Sequence, residues 1–295
     1  MADKLLKFVT PFVPKRKPLL LDGAIGTYLL NNNAEYDKDL WTSHIAVEAP
    51  QLLENVHSEY IKAGADIITS NTFRTNPQAV KNSKYSSEFL VKRNMDIIRD
   101  CSKGKDLLIA GSNAPAEDCY QLERTISRSD LEYNHHKQIS LLMENGADFI
   151  LNETQSHLDE IGIICSYCFR NNIPFGLSLY IKQFDKLLSG ESISKAMKLI
   201  NDLNPLFISF NCTNFFEFAK ITDNYELSFN WGFYLNCGKS RPDSNVITGI
   251  ISPEEYIEKS SPFFEKNPVL VGTCCGSTPE HTKYLREFID EHYKN

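Results

Sequence analysis

Val269-Leu-Val-Gly-Thr-Cys-Cys-Gly-Ser-Thr-Pro-Glu-His281 reads as a single strand–turn–helix unit, and how often that unit recurs decides the fold. Three apolar residues after Pro268 form a short buried strand. Cys274 and Cys275 stand where the strand stops, flanked by Gly272 and Gly276, which let the backbone turn sharply. Ser277-Thr-Pro-Glu280 then starts a helix, with a hydroxyl cap, a proline in the first turn and an acid at the positive end of the dipole. A disulfide between neighbouring cysteines is strained and is not expected in a reducing compartment. The pair is compatible with two packed core thiols, or with half of a metal site completed from elsewhere.

Working outward, the same alternation fills the chain. Strands are expected at Leu19–Asp22, Ile67–Thr69, Leu107–Ala110, Phe149–Leu151, Phe175–Tyr180, Leu206–Phe210, Phe229–Leu235 and Val269–Val271. Helices are expected at Glu48–Ala63, Glu88–Asp100, Leu131–Glu144, Leu158–Arg170, Ser192–Leu203, Phe215–Ile221, Pro253–Phe264 and Glu280–His292, with a polar loop from Asn31 to Ala46. Eight strand–helix units in 295 residues match a closed parallel (β/α)8 TIM barrel better than an open doubly wound sheet. No linker, low-complexity segment or short repeat divides the chain, so a single domain is expected at 19–292 after an N-terminal extension at 1–18.

Composition narrows the function. A net charge of −7 argues against nucleic-acid binding, and no apolar run is long enough for a membrane span. The charged N-terminus does not read as a signal peptide, so the eight cysteines are expected to be free thiols or metal ligands in a cytoplasmic protein.

Polar residues follow strand after strand. Asp22-Gly-Ala-Ile-Gly-Thr27 follows the first and Ser70-Asn71-Thr-Phe73 the second. Asn152-Glu153-Thr154 follows the fourth, Asn211-Cys212-Thr213 the sixth and Asn236-Cys237-Gly238 the seventh. Any one of these is unremarkable as a cap or turn residue. In a barrel, however, these ends share one face, and that face carries active sites. Cys212, Cys274 and Cys275 would then lie two strands apart, close enough to share a zinc ion. Three thiolates and one open position describe a catalytic zinc site. Such an anionic centre suits holding an incoming thiol as thiolate for alkylation, rather than activating water.

The same motifs resemble the homocysteine S-methyltransferases, as do Ala63-Gly-Ala-Asp-Ile-Ile-Thr-Ser-Asn-Thr-Phe73, Leu40-Trp41 and Gly272-Thr-Cys-Cys-Gly-Ser-Thr-Pro-Glu-His281. The resemblance runs from about Leu19 to Phe288. It implies a (β/α)8 barrel with one zinc per chain on Cys212, Cys274 and Cys275. It implies that Asp22 and Glu153 hold the substrate amino group, and that the amides around Gly23, Ala24 and Ile25 hold its carboxylate. Asn71 and Asn236 are expected beside them. Two carboxylates match an ammonium and the amides of a glycine turn match a carboxylate, with neither acid needing a shifted pKa. The implied reaction is methyl transfer to L-homocysteine, giving methionine. A sulfonium donor, S-methylmethionine or S-adenosylmethionine, suits a single domain, and a selenol acceptor is the alternative within the family. Three departures stand out. Thr273 replaces a usual Gly, Ser156 replaces a usual Pro, and Gly111-Ser-Asn-Ala-Pro-Ala-Glu-Asp-Cys-Tyr120 replaces a Gly-Pro-Tyr-Gly type turn. None touches the zinc ligands, but the changed loop leaves the methyl donor unassigned.

Rival readings are a metal-independent lyase or aldolase barrel, for which Lys182 and Lys239 are the nearest lysines, and a non-catalytic zinc-binding barrel. Cys165 and Cys168 fall on a helix and are expected to pack in the core, and Cys237 is expected near the metal as a neutral thiol. His57 and His281 are expected to be structural, and the His135–His136 pair lies on a helix outside the barrel with no ligand spacing to the cysteines. Trp41 is expected as a lid or anchor of the first loop.

Overall fold

A computed structural model describes residues 5, 8, 16–183, 185–227, 229–241 and 244–294. Eight parallel strands form its sheet: β1 (Leu19–Leu20), β2 (Ile67–Thr69), β3 (Leu108–Asn113), β4 (Phe149–Gln155), β5 (Phe175–Leu179), β6 (Ile208–Asn211), β7 (Trp231–Leu235) and β10 (Leu270–Thr273). The order β1-β10-β7-β6-β5-β4-β3-β2 is closed by a parallel bridge from Leu21 to Ile67. The fold is therefore a (β/α)8 barrel. Its helices are α1 (Ile25–Asn31), α2 (Ile45–Glu48), α3 (Pro50–Lys62), α4 (Ser87–Ser102), α5 (Arg128–Glu144), α6 (Leu158–Arg170), α7 (Ile193–Ile200), α8 (Phe215–Asn224), α9 (Pro253–Phe264) and α10 (Pro279–His292).

Strand alternation sorts the core into two shells. Outward residues such as Leu20, Ile68, Ile150, Leu177, Phe210 and Phe233 pack under the helices. Inward residues such as Leu21, Ile67, Leu108, Phe149, Leu151 and Leu270 fill the barrel. Phe8 closes that interior at the end where the strands begin, its ring 5.8 Å from Phe149 and 5.2 Å from Phe207. Each such buried side chain stabilises the barrel by about 1.5–3 kcal/mol. Most of the proposed 1–18 extension lies outside the described residues. Cys165 and Cys168 are core residues, as expected.

The structure corrects the sequence reading at several element boundaries, β3 among them, which runs on to Asn113. Ile25–Asn31, bordering the expected polar loop, is helical. Strand β4 runs on through Gln155, so Asn152, Glu153 and Thr154 belong to the strand and not to the loop after it. Its pairing with β5 shifts between Asn152 and Gln155, and Thr154 takes a φ of 58°. Polar residues at a strand end break the apolar pattern used to place boundaries, although in a barrel they line the mouth. A hairpin, β8 (Lys239–Arg241) with β9 (Ser244–Thr248), is inserted after β7. His135 lies on the outer helix α5, as expected, where it is completely buried and bonded to Asn113 at 3.2 Å and Glu160 at 2.7 Å. No helix among the described residues is long and apolar enough to cross a membrane.

Candidate active site

Two strand ends, those of β6 and β10, bring three thiols to one point. The sulfurs of Cys212, Cys274 and Cys275 lie within 4.8 Å of one another. Cys212 Sγ is 2.9 Å from Cys274 Sγ, which is 4.0 Å from Cys275 Sγ. Thiolates about 2.3 Å from a tetrahedral zinc stand roughly 3.8 Å apart, so the cluster fits the ion if the closest pair opens by about 1 Å. The neighbouring thiols hydrogen-bond the Cys275 sulfur and hold its pKa well below the ordinary thiol value. Cys212 and Cys274 are held above theirs: Cys274's hydrogen bond lowers Cys212, but the Cys275 contact and burial outweigh it. For Cys274, the hydrogen bonds with Cys212 and Cys275 come first, then burial. Soft, ionisable sulfurs converging in this way suit a thiophilic cation.

The backbone aims these sulfurs. Cys212 sits at φ 54° just past β6, an unusual conformation for a non-glycine residue. Gly276 at φ 88° turns the chain after the cysteine pair, and its N–H donates to Thr27 Oγ1 at 3.2 Å. Asn211 locks the Cys212 side. Its Nδ2 donates to Cys212 Sγ at 3.2 Å and to Thr154 Oγ1 at 2.9 Å. Its Oδ1 accepts from Thr154 N at 3.1 Å and Ser178 Oγ at 2.9 Å. A donor on a ligand sulfur orients it and stabilises its anionic form. Asn211→Leu is therefore expected to lower zinc affinity roughly ten- to hundredfold while the protein stays folded, as checked by competition with a chromophoric chelator.

The acids lie beside the thiols. Asp22 is buried; its carboxylate accepts from Thr69 N and Thr69 Oγ1, both at 2.8 Å. Glu153 accepts from Ser112 Oγ. Burial above all raises both pKa values, that of Asp22 well above its ordinary value and that of Glu153 to about 7, with Glu153 adding to the shift of Asp22 and Cys275 to that of Glu153. The role read from the sequence, an ionised acceptor for an ammonium, does not need such a shift. Two carboxyls and three thiols gather here in one pocket, and desolvation, with repulsion among these groups after it, raises the pKa of both acids.

The other expected residues fall as follows. Ala24 N–H donates to Ser277 Oγ at 3.0 Å, so the glycine turn and the cysteine turn are joined. Gly23 leaves no room for a side chain, since a Cβ there would stand 2.6 Å from the Tyr60 ring. Ile25 is buried as the first residue of α1. Asn236 donates to Cys212 O at 3.0 Å and keeps a buried Oδ1 with no hydrogen-bond partner among the described residues. Asn71 turns to the first loop, accepting from Thr42 Oγ1 at 3.1 Å and donating to Thr42 O at 2.8 Å. The Trp41 indole packs on Gly26 and anchors that loop. Cys237 stands outside the cluster, its buried thiol pushed up chiefly by desolvation. His281 caps α10, accepting from Thr278 N at 3.2 Å. Lys182 and Lys239 are exposed.

Thr69, Asn211 and Ser277 escaped the sequence reading as working residues, although each lies inside a motif it quoted. Cys119 and Tyr120 also went unassigned. They sit on the departing loop after β3, and burial pushes the Cys119 thiol up to about 12.

Fold and site define a (β/α)8-barrel enzyme built around a three-thiol cluster at the C-terminal mouth. The chain belongs to the homocysteine S-methyltransferase family, whose model matches residues 19–289. It is a methyltransferase. It is 24% identical to "Homocysteine S-methyltransferase 2" of Arabidopsis thaliana, covering 88% of this chain and 89% of that protein. It is also 24% identical to the "Selenocysteine Se-methyltransferase" of Brassica oleracea var. italica, covering 88% and 85%. The metallated homocysteine methyltransferase MmuM of Escherichia coli shares the fold, with a TM-score of 0.78 at 20% identity over 93% of this chain and 97% of that one.

Proposed function

We propose that the enzyme transfers a methyl group from a sulfonium donor to the thiol of L-homocysteine, giving methionine, with one zinc per chain on Cys212, Cys274 and Cys275. S-methylmethionine is the first donor to test and S-adenosylmethionine the second. The observation that carries this reading is the three-sulfur cluster beside the buried Asp22 and the half-buried Glu153, whose pKa values are both raised chiefly by desolvation. When bound, zinc supplies the positive charge that keeps an acceptor thiol ionised at neutral pH.

The chain's own groups bind and orient the acceptor. Glu153 and Asp22 take its ammonium, with the free Asn236 Oδ1 as a further acceptor. The amides of Gly23 and Ile25 take its carboxylate, while the Ala24 N–H between them stays on Ser277 Oγ, and Asn71 holds the first loop over them. This fixes the amino-acid end and leaves the sulfur directed at the thiols. Transfer forms the acceptor S–CH3 bond and breaks the donor's, the electron pair returning to the donor sulfur. The acceptor's thiol proton goes to solvent. The Brassica relative supports a second acceptor class, a selenol, in the same pocket.

A donor screen tests the reading: zinc-loaded protein and homocysteine are mixed with each sulfonium, and methionine is measured. Methionine formation with either sulfonium is expected. Stoichiometric zinc and bound homocysteine with no transfer from any sulfonium would overturn the donor assignment.

A further inference from the structure

Two of the three departures from the family pattern meet beside the thiols. Strands β5 and β6 are in register at Leu179 and Phe210, so Tyr180 leaves β5 next to Asn211 and Cys212. Its backbone is fixed on both sides: Tyr180 N–H donates to Gln155 O at 3.0 Å, and Ser156 Oγ, where a proline is usual, donates to Tyr180 O at 2.7 Å. The changed loop after β3 brings Tyr120 edge-on to this ring, with centroids 5.1 Å apart and planes at 76°. That loop is braced. Ala116 N–H donates to the buried Glu160 at 2.9 Å, Arg74 Nη1 donates to Glu117 O at 2.6 Å, and Tyr120 N–H donates to Asp118 at 2.8 Å. Tyr120 remains 36% exposed, so the aromatic pair borders the thiols and still faces the opening.

We propose that Tyr120 and Tyr180 form the wall on which the positively charged head of the methyl donor rests, making this pair the element that selects onium donors over neutral ones. The inference rests on the methyl-transfer reading and adds the residues that sense donor charge. An aromatic face attracts a cation whose charge lies within about 6 Å of its centroid, and the anionic pocket below attracts the same charge. Transfer turns the donor sulfonium into a neutral thioether. The product then loses both attractions and leaves, while a fresh cationic donor is favoured.

The test uses the full-length, zinc-loaded protein, with S-methylmethionine as donor at saturating homocysteine and tetramethylammonium as an unreactive cationic competitor. Tyr120→Leu and Tyr180→Leu are each expected to raise the donor KM and weaken tetramethylammonium inhibition roughly three- to thirtyfold. Zinc content and homocysteine binding by calorimetry stay unchanged. Tyr120→Phe, which keeps the ring, stays close to wild type in both readouts. Leucine variants that fold, transfer methyl and are inhibited by tetramethylammonium like the wild type would overturn the wall. A wild-type protein that makes no methionine from any sulfonium would overturn the underlying reading instead.

Discussion

Replacing Cys212, Cys274 or Cys275 with alanine is expected to remove zinc and methyl transfer together. Apparent zinc binding at a four-ligand site is worth about 10–16 kcal/mol, or roughly 2.5–4 kcal/mol per ligand. Loss of one thiolate therefore lowers affinity on the order of a hundred- to a thousandfold, enough to empty the site during purification. The three sulfurs sit at the mouth end of the inner apolar shell, which Leu21, Ile67, Leu108, Phe149, Leu151 and Leu270 still fill in each variant, so the circular dichroism spectrum stays native. Metal analysis beside an activity assay checks the result. Stoichiometric zinc in a Cys274→Ala, Cys275→Ala double variant would place the metal elsewhere.

The second large effect concerns the acids. Glu153→Gln keeps the shape and the Ser112 contact but removes the charge. Loss of one charge-assisted hydrogen bond costs about 1.5–3 kcal/mol, roughly ten- to hundredfold in homocysteine affinity, with zinc content unchanged. The pH dependence follows from the raised pKa. Because Glu153 is protonated below about 7, homocysteine affinity in the wild type should fall as pH drops through that value. Glu153→Gln should remove the Glu153 part of this dependence and leave the part that comes from Asp22, whose pKa is also raised. Asp22→Asn should do more harm, because it replaces one of the two oxygens that accept from Thr69: the remaining oxygen keeps the Thr69 N–H, and the hydroxyl has to turn round and accept from the new amide. A stability loss of about 1–3 kcal/mol is expected there in addition to weaker binding. Titration calorimetry across pH, together with thermal melts, separates the two variants. A defect confined to the donor, with homocysteine binding intact, would mean that these carboxylates face the donor cation.

Most of the barrel was legible because buried parallel strands are short apolar runs and the helices between them keep a period near 3.6. Ile67–Thr69, Leu158–Arg170 and Pro253–Phe264 coincide with the expected elements residue for residue. Reading failed where strands carry function. Asn113 and Asn152–Gln155 are polar, so β3 and β4 were ended too early, although their ends hold the buried Asn113–Asn152 bond and Glu153. The cluster was legible because Cys212, Cys274 and Cys275 all stand at strand ends. What no spacing revealed was the support: the Asn211 amide on Cys212, the Thr69 donors on Asp22 and the Ser277 hydroxyl on Ala24. These depend on the φ of 54° at Cys212 and on contacts as distant as Ala24 to Ser277, which are set by the closed barrel and not by local sequence. The aromatic pair was hidden for the same reason, since Tyr120 and Tyr180 meet only in three dimensions.

X-ray absorption at the zinc edge tests the central claim most directly, because it counts the sulfur neighbours of the metal with and without L-homocysteine. The account predicts three sulfurs at about 2.3 Å in the protein alone and four once homocysteine is added. A count that does not change on adding homocysteine, in a protein shown by calorimetry to have bound it, would contradict the claim that the cysteine cluster receives the acceptor thiol.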